Sequence, residues 1–209
     1  MEHGLSCRNG GLVILRHNEL AAEWQSLCAS ALAPSAVSTE PKIFTGRTND
    51  ESNETDGANR VTVDKDRRGD VGVRGFWKRG TTAIFDVRIT NTESGSYRGR
   101  DPGNILSSQE AEKKKLYLQP CLERRRQFTP LVFSVDGLMG KEASAATKRL
   151  ASLLSAKWAR QYSETCGFVR SRISVALVRA TSLCLRGARN GKERRNPLWN
   201  GGPGLSLYW

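Results

Sequence analysis

Hydrophobic residues recur at helical spacing near the beginning of the chain. A short apolar run, Leu12 to Leu15, is followed by a stripe through Leu20, Trp24 and Leu27. Such spacing is typical of an amphipathic helix with one buried face. Asn18 stands just before the stripe, where its side chain can accept a hydrogen bond from a free backbone amide. The pattern therefore predicts a first helix that begins at about Asn18.

Two further stretches near the end of the chain show the same helical period. In KEASAATKRLASLLSAKWA the apolar stripe is formed by Ala146, Leu150, Leu153, Leu154 and Trp158. In SETCGFVRSRISVALVRATSLCLRGAR it is formed by Val169, Ile173, Ala176, Leu177, Ala180 and Cys184. Both stretches are predicted to be helices that pack one face on a core, and Gly187 is placed to end the second.

Strand-like alternation fills the middle of the chain. Asp70 to Phe76 and Thr82 to Thr90 are predicted to form a hairpin with a turn at residues 78–80, and residues 128–137, FTPLVFSVDG, form a buried strand and turn. Between them Ser107-x-x-Glu110 has the form of a capping box, which would open a helix that Pro120 ends or kinks. The order of helix, strands, helix, strand and helices indicates an α/β or α+β fold.

Polar and glycine-rich segments separate these elements. Residues 33–45 are predicted to be a loop with a short strand, and residues 91–106 a loop that contains the turn Asp101-Pro102-Gly103. Residues 46–68 are expected to form a mobile surface loop, and residues 190–209 a disordered tail.

The charge of the chain indicates a class of partner. It has 209 residues, with 33 Lys and Arg against 21 Asp and Glu, and a net charge of +12. Such a surplus favours a polyanion, and we expect DNA, with RNA as the alternative. Five scattered cysteines without a C-x-x-C pair do not make a disulfide framework. With no apolar run long enough for a membrane span, no membrane association is expected. We therefore expect a protein of the nucleus or cytoplasm.

Two acids near the ends of the hairpin are candidates for chemistry. With a turn at residues 78–80, Asp70 would lie across from about residue 88, near Asp86, with the carboxylates roughly 5–8 Å apart. Ile84, Asp86 and Arg88 would share one face of the strand. Paired carboxylates suit magnesium or manganese, which can activate water at a phosphodiester. Alternatively, the aspartates form strand ends, and Asp70 pairs with a nearby arginine.

At these residues the chain resembles the restriction-endonuclease-like, PD-(D/E)XK module of retroelement reverse transcriptase polyproteins. The blocks that carry the resemblance are the hairpin, SSQEAEKKKLYL, FTPLVFSVDGLMG and the last two helices. It implies an αβββαβ core with flanking C-terminal helices over residues 16–189, and a divalent-metal-dependent DNA endonuclease. No polymerase motif of the Y-x-D-D type is present.

The resemblance also implies a set of site residues. Asp70 matches the first acid, with Gly69 where proline is usual, and Asp86-Val87-Arg88 matches D-X-K with arginine for lysine. In some members the lysine role moves to the following helix, where this chain has Lys113 and Lys114. Glu19 matches an additional metal acid, and Gln109 to Tyr117 resembles a helix motif of some members. The catalytic set is thus Asp70, Asp86, Arg88, Glu19 and Lys113, of which Asp70, Asp86 and Glu19 would bind metal.

The beginning of the chain, HGLSCRNGGLVILRHNEL, resembles the segment that joins a retroelement Cys/His knuckle to the endonuclease. Residues 1–15 are accordingly expected to be a remnant of that knuckle. His3, Cys7 and His17 give three candidate ligands where a structural zinc site needs four, so zinc is not expected.

Two functions therefore remain open. One is the endonuclease, and the other is a non-catalytic, basic nucleic-acid-binding remnant of the polyprotein. In either, the residues expected to contact phosphates are Lys114, Lys115, Arg124, Arg125, Arg172, Arg179 and Arg186. The sequence offers little for other chemistry, since it has two histidines and no glycine-rich phosphate loop.

Overall fold

The computed structural model describes residues 12–44 and 67–187, together with Leu5. These residues form a mixed α/β fold with a four-stranded mixed sheet. The helices and strands are α1 (Leu12–Ala31), β1 (Val37–Thr39), β2 (Lys42–Phe44), β3 (Arg67–Arg68), β4 (Val71–Arg74), β5 (Thr82–Thr90), α2 (Pro102–Glu123), β6 (Arg126–Ser134), α3 (Lys141–Trp158) and α4 (Tyr162–Gly187). Short 3₁₀ turns lie at Pro34–Ala36 and Gly95–Tyr97.

The main sheet has the strand order β1-β4-β5-β6. Its first two pairings, β1 with β4 and β4 with β5, are antiparallel, while β5 and β6 are parallel. A parallel pair needs a long connection, and α2 provides it by crossing from the end of β5 to the start of β6. Strands β2 and β3 form a separate antiparallel pair.

Helices cover both faces of the sheet, and the alternation along β5 decides which side chains meet which helix. Phe85 and Val87 pack with Trp24 of α1 in the larger core, which also takes in α3 and α4. Ile84 joins a smaller cluster with Cys121 of α2. Asp86 and Arg88 also form ion pairs with α2. The predicted division of β5 into two faces is therefore confirmed.

The helices near the end of the chain are also confirmed. All six residues predicted for the stripe of α4 are buried. In α3 the positions Ala146, Leu150 and Leu154 are buried, whereas Trp158 is 36% exposed at the end of the helix. The predicted strand at residues 128–137 corresponds to β6, which begins two residues earlier, at Arg126.

The predicted beginning of the first helix is wrong. Helix α1 is already formed at Leu12, so the apolar run Leu12 to Leu15 belongs to it and Asn18 lies inside it. Asn18 is not a cap, and its Oδ1 lies 3.2 Å from His17 Nδ1. Helical and strand-like apolar runs of this length look alike in a sequence, which explains the error.

The predicted beginning of α2 is wrong as well. The helix starts at Pro102, and Asp101 caps it by accepting a hydrogen bond from the Asn104 amide at 2.9 Å. Ser107 therefore lies inside the helix rather than at its start. Pro120 does not end the helix, which continues to Glu123.

Glu110 caps a different helix from the one that the sequence pattern indicates. Its buried carboxylate accepts a hydrogen bond from the Glu142 amide at 2.9 Å, in the first turn of α3. Gly140 stands at the start of α3, and a Cβ atom there would lie 2.2 Å from Glu110 Oε1. The capping contact thus joins α2 to α3, and a side chain at position 140 would displace the Glu110 carboxylate from it.

Several predictions concern residues outside the described part of the chain. The predicted knuckle remnant at 1–15 lies there except for Leu5 and residues 12–15, and so do the predicted tail at 190–209 and residues 46–66 of the predicted loop. The prediction of a loop is wrong for residues 67–68, which form β3 and pair with β2. Within the described residues, the cysteines Cys28, Cys121, Cys166 and Cys184 are free thiols. None of the described helices is long and apolar enough to cross a membrane.

Candidate functional site

Asp70 lies beside Asp86 at the start of β4. The Asp70 amide donates to the Phe85 carbonyl at 2.9 Å, and Asp70 Oδ2 accepts from the Val87 amide at 2.5 Å. Asp70 is therefore hydrogen-bonded to Phe85 and Val87, the residues directly before and after Asp86 in the sequence.

The predicted register, with Asp70 across from about residue 88, is wrong by about two residues. Val71 pairs with Phe85, which centres the hairpin at residue 78 rather than 79. Moving the centre of a hairpin by one residue moves every cross-strand partner by two. The observed register brings Asp70 closer to Asp86 than the sequence pattern predicts.

Asp86 is a buried carboxylate held by a lysine of α2. The residue is 5% exposed, and its Oδ2 lies 2.7 Å from Lys113 Nζ in an ion pair. Burial raises the pKa of the Asp86 carboxyl, because the charged form loses its hydration. The nearby ammonium of Lys113 opposes this effect, whereas the negative charge of Asp70 adds to it. Additional positive charge close to Asp86 would therefore stabilise the charged form of its carboxylate.

His17 is a site residue whose contact sequence reasoning did not find. Its Nε2 lies 3.0 Å from Asp70 Oδ2, so Asp70 is hydrogen-bonded to α1 as well as to β5. The hydrogen bond to Asp70 is the largest cause of the raised pKa of His17. The two residues lie 53 positions apart in the chain, and no local pattern pairs them.

The structure does not bring Glu19 to the acid pair. His17 and Glu19 are two residues apart on α1, so their side chains leave the helix on nearly opposite sides, about 160° apart. The contact with Asp70 is made by His17. Among residues 12–44 and 67–187, no group of three or more His, Cys, Asp and Glu side chains is placed to hold a metal ion.

Of the two lysines that the resemblance offers for the displaced lysine role, Lys113 is the one at Asp86. Lys114 forms an ion pair with Glu142 of α3 instead. Arg88, which stands in the lysine position of D-X-K, forms an ion pair with Glu112 at 2.7 Å. Asp86 and Arg88 therefore each have a partner on the same helix.

The other predicted phosphate-contacting residues are spread over the surface. Arg172 forms an ion pair with Glu23 of α1 at 2.7 Å and lies over the ring of Phe168. The remaining residues are exposed and in no ion pair with another described residue; they are Lys115, Arg124, Arg125, Arg179 and Arg186. These residues do not converge on the acid pair.

A cleft of about 420 Å³ lies along the first half of α2. Its wall includes the ion pair of Arg88 and Glu112. Arg88 follows Asp86 by two residues on β5, and Glu112 directly precedes Lys113 on α2. The other lining residues lie on the 3₁₀ turn, the loop that follows it and the first half of α2; they are Tyr97, Gly99, Arg100, Asp101, Asn104, Ile105, Ser108 and Gln109.

No protein-family model matches this chain, and no curated protein sequence matches it. The resemblance to the restriction-endonuclease-like module therefore depends on the sequence motifs themselves.

Proposed function

We propose that this chain is a divalent-metal-dependent DNA endonuclease-like domain of the PD-(D/E)XK type, derived from a retroelement polyprotein. The single observation that carries the proposal is the placement of the two acids. Asp70 is hydrogen-bonded to both neighbours of Asp86, and Lys113 Nζ lies 2.7 Å from the Asp86 carboxylate. Two acids and a lysine are the side-chain types that the motif requires.

The order of the elements supports the same proposal. Apart from the small β2–β3 pair, the chain runs through α1, β1, β4, β5, α2 and β6, followed by α3 and α4. This is the αβββαβ order that the resemblance implies, with the C-terminal helices added. The acids lie at the start of β4 and within β5, and the lysine lies on the helix after β5, as in members with a displaced lysine.

The donor set fits a magnesium or manganese ion. Magnesium in proteins is commonly bound by one or two carboxylates, with water and substrate phosphate completing its shell. The charge of Asp70 contributes to the raised pKa of Asp86, as expected for two carboxylates that repel each other. Asp70 and Asp86 would hold the ion, which when bound lowers the pKa of water and stabilises negative charge on a phosphodiester.

The side chains around the pair have their own parts in this proposal. Lys113 is the only described cation in contact with Asp86, and its ammonium can instead meet the negative charge that develops on the cleaved phosphate. His17 Nε2 and the Val87 amide both contact Asp70 Oδ2, so Oδ1 would be the oxygen that binds the ion. Arg88 is held by Glu112 and is not needed at the scissile phosphate.

Nicking of supercoiled plasmid with magnesium or manganese tests the proposal. We expect Asp70→Asn, Asp86→Asn and Lys113→Met each to lower cleavage by about 100-fold or more, since ligand and charge contacts at such sites are worth several kcal/mol. Glu93→Gln and Lys148→Met are matched controls, because both residues are exposed and neither forms an ion pair with Asp70, Asp86 or Lys113. Nicking that is equal in the site variants and the controls would remove the proposed site.

The non-catalytic nucleic-acid-binding remnant is the second candidate, and the net charge of +12 favours it. In this case DNA or RNA binds equally well in the presence of a chelator, and affinity falls steeply as salt is raised. Chelator-insensitive binding together with no nicking in any metal would replace the endonuclease by this function.

A further inference from the structure

The cleft along α2 is bordered by a directed chain of hydrogen bonds. The Thr90 hydroxyl donates to Gln109 Oε1 at 2.5 Å, and Gln109 Nε2 donates to the Tyr97 hydroxyl oxygen at 3.0 Å. Gln109 is 4% exposed and Thr90 is 8% exposed, so both are sheltered from water. Because the Tyr97 oxygen already accepts from Gln109, its own hydrogen is left to donate to a group in the cleft.

The charged residues of the cleft differ in their partners. Asp101 is used within its helix, where it caps the Asn104 amide, and Glu112 is paired with Arg88. Arg100 lines the cleft, is exposed, and is in no ion pair with another described residue. Among these groups, the Arg100 guanidinium and the Tyr97 hydroxyl are left to donate to a ligand. A ligand that binds both presents acceptor oxygens and negative charge.

We propose that this cleft binds a phosphate group of a nucleic-acid strand through Arg100 and the Tyr97 hydroxyl. Arginine and a hydroxyl donor suit phosphate oxygens, with which arginine makes charge-assisted hydrogen bonds. Inorganic phosphate and free nucleotides share this chemistry, and the experiment below separates them from a strand.

The position of the cleft links it to the acid pair. Arg88 follows Asp86 by two residues on β5, a distance of roughly 6–7 Å along a strand, and both side chains face α2. A strand with one phosphate at the acid pair would continue into the cleft with a neighbouring one. This assignment of the cleft to the strand that is cut rests on the proposed endonuclease function, whereas phosphate binding itself does not.

The ion pair of Arg88 and Glu112 forms part of the cleft wall. Their side chains are 30% and 58% exposed, so the pair is only partly withdrawn from water. Removing the carboxylate of Glu112 takes a negative charge from the cleft and releases Arg88 to bind phosphate. Glu112→Gln should therefore strengthen binding, while Arg100→Gln and Tyr97→Phe should weaken it. The loss in Tyr97→Phe, which changes no charge, is not expected of a general basic surface.

Fluorescence anisotropy of a labelled eight-nucleotide oligothymidylate, measured in a metal chelator, tests the inference without any cleavage. We expect Arg100→Gln to weaken binding about tenfold or more, Tyr97→Phe a fewfold, and Glu112→Gln to strengthen it a fewfold. Arg98→Gln is the matched control, because Arg98 is exposed on the same loop and does not line the cleft. An equal loss in Arg98→Gln and Arg100→Gln would overturn the inference. Arg100 is exposed, so its variant is expected to fold, and circular dichroism checks this.

Competition with unlabelled ligands identifies the source of the phosphate. A strand should compete far better than thymidine monophosphate or inorganic phosphate at the same phosphate concentration. Equal competition by the mononucleotide would overturn the nucleic-acid part of the inference. Binding is measured in chelator, so a failure to detect nicking would not affect this result. If the protein does nick DNA, an Arg100→Gln variant with the same KM as the wild-type protein would count against the cleft but not against the acid pair.

Discussion

Replacing Lys113 with methionine should destabilise the folded protein at neutral pH. Methionine keeps most of the apolar stem but removes the ammonium 2.7 Å from Asp86 Oδ2. The Asp86 side chain is 8% exposed, so its charge would stay buried without a cationic partner. Breaking a buried ion pair in this way costs about 3–5 kcal/mol. Because the Lys113 side chain is 21% exposed and water can approach it, we expect the lower end, about 3 kcal/mol.

The loss should depend on pH in a direction that the burial of Asp86 determines. Its pKa is raised in the folded protein, so the folded state binds more protons than the unfolded state between the ordinary pKa and the raised one. Stability due to this group therefore falls as pH rises through that window. Without Lys113 the folded pKa rises further, and the loss in Lys113→Met should be smaller in acid than at pH 8.

Urea denaturation at several pH values measures both effects, and a double-mutant cycle isolates the pair. Asp86→Asn combined with Lys113→Met should recover most of the loss, because no buried charge then remains. Lys115→Met is the control on the same helix, and should change the free energy of unfolding by less than about 0.5 kcal/mol. A loss in Lys113→Met that is independent of pH, or that the double variant does not recover, would refute this reasoning.

Two further predictions concern contacts between elements. Gly140→Ala would place a Cβ atom 2.2 Å from Glu110 Oε1 and disturb the cap of α3, so we expect a loss of about 1–3 kcal/mol in thermal unfolding. Gly95→Ala, whose Cβ would meet nothing within 4 Å, should change little, and equal losses would contradict the clash. His17 has a raised pKa beside Asp70, so its contribution to stability is present below pH 6.5 and is lost as pH rises through the folded pKa. His17→Asn should remove about 0.5–1 kcal/mol at pH 6 and less at pH 9 in urea titrations, and a pH-independent loss would exclude this linkage.

The regular elements were predictable because their periodicity is strong and local. The stripe of α4 and the alternation along β5 follow directly from the spacing of apolar residues. Helix boundaries were harder to predict, because they depend on competition between caps. The sequence Ser107-x-x-Glu110 has the form of a capping box, but Asp101 caps α2 and Glu110 caps α3 through a tertiary contact. The spacing of residues in the sequence does not show whether Glu110 caps its own helix or a neighbouring one.

The candidate site was predictable only in part. The hairpin pattern indicates Asp70 and Asp86, and the resemblance implies Lys113 as one of two lysines; the structure places Lys113 at Asp86 but pairs Arg88 with Glu112 and does not bring Glu19 to the acids. Their relative positions depend on the register of the hairpin. Moving the centre of the turn by one residue moves each cross-strand partner by two residues. The contact between His17 and Asp70 depends on how α1 crosses the sheet, and no spacing within α1 indicates it.

Binding of manganese to the folded protein tests the central claim most directly. Electron paramagnetic resonance of free Mn²⁺, titrated against the wild-type protein, should report one bound ion per chain. This binding should be lost in Asp70→Asn and in Asp86→Asn but kept in Glu93→Gln, which removes an exposed acid away from the pair. Undiminished binding in both aspartate variants, or no binding by the wild-type protein, would contradict the account.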